Sequence, residues 1–170
     1  GNGTYRYKLD NSNLTSGAIT TTSTSYTPGS AISVGSHTLY VQERDPAGNW
    51  SSSGSRTIVI DTTTPSVDNF TLSDTALKAG ETATVTLVFS EAVASFSSSA
   101  DITVANGTLA VMTSTDNITW AGTFTPTANT EDDNNTLSLA TSYTDTAGNT
   151  GPAATTLNYV VDTTAPTVTS

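Results

Sequence analysis

The sequence contains no cysteine, so it can form no disulfide and no thiolate metal site. It has a single histidine, His37, which excludes a multi-histidine zinc centre. His37 opens an expected strand as an exposed residue with no triad context, which argues against nucleophilic catalysis. Lysine and arginine number 5 against 15 aspartates and glutamates, giving a net charge of −10. A chain so poor in cationic groups is ill suited to nucleic acid or an anionic membrane surface, and it favours cations as partners. No apolar run approaches the ~18–20 residues of a membrane span, and no signal peptide is visible at Gly1. The sequence reads as an internal stretch of a longer chain.

Charged residues make up only 12% of the chain, about half the usual ~25%. Low charge with modest hydrophobicity is the composition of many disordered segments. Here threonine, serine, glycine and asparagine fill the gap, and threonine suits a half-buried pleated surface. Alternating apolar positions recur along the chain. The expectation is an ordered all-β protein with polar outer faces.

An internal repeat organises the chain. Asp45-Pro46-Ala47-Gly48-Asn49 is followed by Asp61-Thr62-Thr63-Thr64-Pro65, and Asp145-Thr146-Ala147-Gly148-Asn149 by Asp162-Thr163-Thr164-Ala165-Pro166. The displacement is about one sandwich domain's length. Each copy reads as strand, Gly-Asn turn, strand and proline-stiffened linker, the closing hairpin of a β-sandwich. The expected division is a partial sandwich over residues 1–62, a second sandwich over 63–162 and a linker over 163–170.

In the second module, Val85, Leu87 and Phe89 share one face, as do Trp120 and Phe124, and then Leu137, Leu139 and Tyr143. Asn106-Gly107 predicts a hairpin between Ile102–Ala105 and Thr108–Met112. Seven strands or so are expected. The first module shows only four or five, among them Tyr5, Tyr7, Leu9 and Leu39, Val41. That is too few for a closed sandwich, and it would leave an apolar face and a strand edge open. Missing strands would come from another segment, another chain or a swapped neighbour, and a split first module could frame an inserted ligand-binding domain.

These residues resemble the tandem repeats of giant bacterial surface adhesins of the RTX, type I-secreted class. The second module is similar to the BapA-like immunoglobulin repeat through Thr71-Leu-Ser-Asp-Thr-Ala-Leu77, Phe89-Ser-Glu-Ala-Val93, Phe124-Thr-Pro-Thr127 and Tyr143-Thr-Asp-Thr-Ala-Gly-Asn149. The first looks like the companion fibronectin-type repeat through Tyr5-Arg-Tyr-Lys-Leu9, Ser25-Tyr-Thr-Pro28 and His37-Thr-Leu-Tyr-Val41. The family's first two strands have no counterpart there. The resemblance implies tandem immunoglobulin-like and fibronectin type III-like sandwiches, a bacterial cell-surface location, and a calcium-stiffened stalk without enzymatic activity serving adhesion and biofilm formation.

Strand parity then gathers carboxylates at the expected joint. Asp61 opens the linker, Glu91 continues the inward parity of Phe89, and Asp145 continues that of Tyr143. Three converging carboxylates repel one another, and a hard divalent cation such as Ca²⁺ would neutralise them. The expected interdomain site is Asp61, Glu91 and Asp145, with Asp68 or Asp74 as further candidates. Glu43 and Asp45 form a half-site awaiting a preceding repeat, and Asp162 a half-site awaiting a following one. The plainer alternative is that Asp45 and Asp145 cap their own turns. Glu131-Asp132-Asp133 reads as a solvated turn. Trp120 is expected in the core, and Trp50 stays open between exposure and packing. Competing functions are a peptide- or glycan-binding module of the adhesin and an accessory domain of a secreted polysaccharide hydrolase.

Overall fold

The computed structural model describes residues 1–168. The chain is nearly all β and divides into two compact units, residues 1–62 and the remainder from Thr63.

The first unit is a single antiparallel sheet built from β1 (Thr4–Leu9), β2 (Ile19–Thr21), β3 (Gly35–Arg44) and β4 (Gly54–Ile60), in the order β2-β1-β3-β4. Register places Leu9 opposite Leu39, Tyr7 opposite Val41, and His37 opposite Ile58. Cross-strand partners share a face, so Tyr5, Tyr7, Leu39, Val41, Ile58 and Ile60 line one side. None of these is fully buried; each keeps part of its surface exposed. Tyr26, from the loop after β2, stands edge-on to Tyr7 with ring centroids 5.0 Å apart and covers part of that side. The serine- and threonine-rich stretch around it is strand β2 followed by a polar loop, tied by Ser23–Ser25 hydrogen bonds. On the opposite side the Arg6 guanidinium lies 4.4 Å from the Trp50 ring centroid, so Trp50 packs on the sheet as a cation–π partner.

The second unit runs through β5 (Val67–Leu72), β6 (Ala76–Lys78), β7 (Ala83–Phe89), β8 (Ile102–Val104), β9 (Gly107–Leu109), β10 (Thr119–Pro126), β11 (Glu131–Asn135), β12 (Leu137–Leu139), β13 (Ala154–Thr155) and β14 (Tyr159–Asp162), with one helical turn at Ser98–Asp101. One layer has the order β5-β7-β10-β9. The other comprises β11-β14-β6 and β13-β12-β8. The expected seven strands become ten short ones because irregularities cut the long strands. Between β11 and β12, and again between β13 and β14, side chains replace ladder bonds: Leu137 N–H donates to Thr156 Oγ1, and Asn135 N–H to Asn158 Oδ1.

Apolar residues of both layers meet in one core, including Val85, Leu87, Phe124, Leu137, Tyr159 and Val161, each at 0% exposure. The alternation along β7, buried at Val85, Leu87 and Phe89 and partly open at Val88, is the period-2 pattern that sets its register. Trp120 packs against this core, edge-on to Phe96.

Two local expectations are overturned. Asn106-Gly107 does not close a hairpin: β8 pairs with β12 and β9 with β10, so the dipeptide crosses between layers. Asn106 takes φ 47° and its Nδ2 donates to Asp132 Oδ2 and Asn135 Oδ1. Gly107 is needed because a Cβ there would overlap the Phe124 ring. Glu131-Asp132-Asp133 is likewise no turn but part of β11, paired with β14 through Glu131–Asp162 and Asp132–Val161, although Glu131 and Asp133 are exposed as a solvated run would be. Asn106 Nδ2 donates to the Asp132 carboxylate, and the exposed Glu131 and Asp133 side chains face solvent.

Candidate carboxylate sites

Glu91 follows the end of β7 and is half-buried. Asp145 is 2% exposed and forms an antiparallel bridge with Val93. That bridge brings the two acids to the same end of the second unit, where a carboxylate oxygen of each lies within 4.8 Å of the other. Two oxygens bound to one calcium, each about 2.4 Å from it, stand at most ~4.8 Å apart, so this spacing admits a shared ion.

Asp145 also serves its own turn. Its Oδ1 accepts from Ala147 N–H at 2.8 Å and Asn149 N–H at 2.9 Å, and its Oδ2 accepts from Asn149 Nδ2 at 2.8 Å. Burial pushes its pKa up, but the hydrogen bonds from Asn149, Ala147 and Gly148 outweigh it and hold the carboxyl below its ordinary value. The lowered value favours the anion, the form a metal ligand requires, while the cap needs only the acceptor oxygens. Oδ2, with one donor, keeps an acceptor site for a further partner.

The first unit repeats the device. Asn49 N–H donates to Asp45 Oδ1 at 2.7 Å and Asn49 Nδ2 to Asp45 Oδ2 at 3.0 Å. In both turns the glycine takes a positive φ, 98° at Gly48 and 95° at Gly148, which only glycine adopts without strain. The self-capping alternative is thus realised at both aspartates. Asp45 and Glu43 border one cleft of about 180 Å³, together with Arg44, Trp50 and Ser51.

Asp162, Asp68 and Asp74 each accept from a residue two positions away. Asp162 is exposed at the end of β14, with Oδ1 accepting from Thr164 N–H. Asp68 Oδ1 accepts from the Ser66 hydroxyl, and Asp74 Oδ1 from Ala76 N–H. Asp61 is half-buried and directly follows β4. Five residues on, Ser66 is fixed to the residue before Glu91: Ser66 N–H donates to Ser90 Oγ at 2.8 Å and Ser90 N–H to Ser66 O at 3.0 Å.

His37 is not the exposed strand-start residue the sequence suggests. Its side chain is 11% exposed, with Nδ1 2.6 Å from Asp10 Oδ2 and Nε2 2.8 Å from the Ser33 carbonyl. The Ser33 hydroxyl is 3.3 Å from the same nitrogen. Serine, histidine and aspartate in a row look like a charge relay, but the shorter contact decides the chemistry. A carbonyl only accepts, so Nε2 carries a proton and takes none from the serine. The Asp10 carboxylate and then the Ser33 carbonyl raise the His37 pKa, and His37 and then Thr38 N–H lower that of Asp10. The arrangement is a cationic clamp on two loops. Sequence spacing gives no sign of it, because the partners lie 27 and 4 residues away on separate loops.

Among the described residues no helix is long and apolar enough to cross a membrane. A family model described as bacterial Ig-like domain matches residues 61–161. No curated protein and no solved structure matches the chain.

Proposed function

We propose that this chain, which belongs to the bacterial Ig-like domain family, is a calcium-stiffened, non-catalytic segment of an extracellular bacterial adhesin. Members of this family are generally non-catalytic binding or structural modules, and the surface or adhesin-type role follows from that membership. The finer reading places one Ca²⁺ on Glu91 and Asp145, with Asp61 as the third carboxylate.

The observation that carries it is the Glu91–Asp145 approach within 4.8 Å at one end of the second unit. Two anions that close repel each other, and in a partly dehydrated setting the repulsion is several-fold stronger than in water. A divalent cation converts that repulsion into attraction. Chain connectivity supports the third ligand: residues 62–66 reach at most ~18 Å when extended, and Ser66 is anchored beside Ser90. Calcium accepts six to eight oxygens at about 2.3–2.6 Å, so turn carbonyls and water complete the shell.

Mechanically, an ion shared by the linker aspartate and the following domain fixes the linker's direction. Repeated along a chain of neighbouring Ig-like repeats, it makes a rod that holds a ligand-binding domain away from the cell surface. Small-angle scattering of the full chain tests this. The maximum dimension should be larger and more narrowly distributed in millimolar calcium than in EGTA; identical distance distributions would refute the stiffening role. One observation favours a second reading as a binding module: a cavity of about 340 Å³ in the first unit, lined by Tyr5, Tyr7, Tyr26, Leu39 and Val41. A glycan or peptide array would retain such a module and not a spacer.

A further inference from the structure

Asn106-Gly107 carries the chain of the second unit from β8 in one layer to β9 in the other. The crossing is pinned along its length. Ala105 O accepts from the Tyr159 hydroxyl, and Asn106 O accepts from Thr127 N–H at 2.9 Å. The Asn106 side chain donates from one nitrogen, Nδ2, to Asp132 Oδ2 at 2.8 Å and to Asn135 Oδ1 at 2.7 Å. Asn135 is 1% exposed and is itself fixed, its Nδ2 donating to the Asp132 and Tyr159 carbonyls.

The same dipeptide is chemically reactive. Glycine has no side chain to crowd its nitrogen or to restrict its backbone, so an asparagine before glycine closes onto the next peptide with the least resistance. The Gly107 nitrogen bonds to Asn106 Cγ and gives up its proton. The Cγ–Nδ2 bond breaks, and Nδ2 gains a proton and leaves as ammonia. Water then opens the five-membered imide at either carbonyl, giving aspartate or isoaspartate. Nδ2 leaves only once its bonds to Asp132 and Asn135 are broken, and the folded second unit holds both.

We propose that Asn106-Gly107 is a fold-guarded deamidation site, intact while the second unit is closed and converted when it opens. Modification of a transiently opened segment tracks the open population, which for a stable domain is roughly 10⁻³–10⁻⁶. Conversion is one-way. A carboxylate at position 106 stands where Nδ2 stood, against the Asp132 carboxylate and the Asn135 amide oxygen, so two hydrogen bonds give way to repulsion. Isoaspartate also lengthens the main chain just ahead of β9, whose register on β10 starts at the Gly107–Pro126 pair. A unit that stays open long enough therefore does not regain its original stability on closing, and residue 106 keeps a covalent record of the opening.

The chain contains its own comparison, because Asn2-Gly3 is the same dipeptide with both residues exposed. The full chain is incubated in mildly alkaline buffer, with and without unfolding urea, and conversion at both asparagines is followed by peptide mass mapping. In buffer Asn106 should lag behind Asn2 at least tenfold, and in urea the two should convert at similar rates. Asn106 keeping pace with Asn2 in buffer overturns the proposal. So does an Asn106 that stays slow in urea, since the sequence and not the fold would then protect it. Chain converted in urea and refolded should melt lower in the second unit than chain refolded at once, and Asn106→Asp should reproduce that loss. Full recovery of the midpoint after conversion overturns the one-way consequence.

Discussion

The carboxylates of Glu91 and Asp145 approach within 4.8 Å of one another, one beyond the end of β7 and the other buried at the mouth of a turn. Asp145 is held there by Asn149, through both its backbone N–H and its Nδ2. Asp145→Ala should therefore lower the melting temperature even with calcium absent, because Ala147 and Asn149 N–H groups lose their acceptor. Asp145→Asn should be milder in EGTA, since the amide oxygen still accepts, and worse in calcium, since the charge is gone. Differential scanning calorimetry of the two variants in both conditions checks the ordering.

The Asp10–His37 clamp predicts a pH dependence confined to the first unit. His37 has a raised pKa, so its contribution is complete below the ordinary 6.5 and is lost as pH climbs through the raised folded value. Asp10 has a lowered pKa, so its contribution is present above the ordinary 3.8 and is lost as pH falls through the lowered folded value. The clamp is therefore strongest between those two limits. Protection of the amides in residues 28–34, after correction for the intrinsic pH dependence of exchange, should be greater at pH 5.5 than at pH 8.5, and Asp10→Asn should flatten the difference.

Core substitutions should differ between the units by degree of burial. Leu139, 2% exposed, should cost about 2–5 kcal/mol on replacement by alanine. Leu39, its counterpart in the repeat, is only partly buried and should cost about half as much or less. Chemical denaturation with a probe in each unit separates the two. Equal losses would mean that the face of the first unit is covered in solution.

The asparagine network between layers makes a third stability prediction. Asn106→Ala removes donors to Asp132 and Asn135 and should destabilise the second unit by about 1–3 kcal/mol. Gly107→Ala should be at least as damaging, because its methyl group collides with the Phe124 ring and the Thr125 carbonyl. A normal melting midpoint for either variant would contradict this part of the fold.

What could be read in the residues was local chemistry. The Asp-x-Ala-Gly-Asn turns follow from a glycine at positive φ and an aspartate that caps its own backbone, so they are legible in five letters. The buried face of β7 follows from simple alternation. Misreadings arose where a distant partner decides. Asn-Gly at 106–107 looks like a hairpin until Asp132 and Asn135 claim the asparagine side chain. An acidic triplet looks like a turn until β14 pairs with it. A lone histidine looks idle until a chain reversal brings Asp10 beneath it. The pairing of Glu91 with Asp145 was legible because each extends the parity of a recognisable apolar strand.

Titrating calcium into the full chain while following the melting of the second unit reads out the shared ion. A site occupied at one hundred times its dissociation constant adds about 2.7 kcal/mol, an upward shift of order 10 °C for a domain this size. The wild type should show that rise, Glu91→Gln should lose it, and Asp61→Asn should show a clear reduction. An unchanged midpoint between EGTA and millimolar calcium would contradict it.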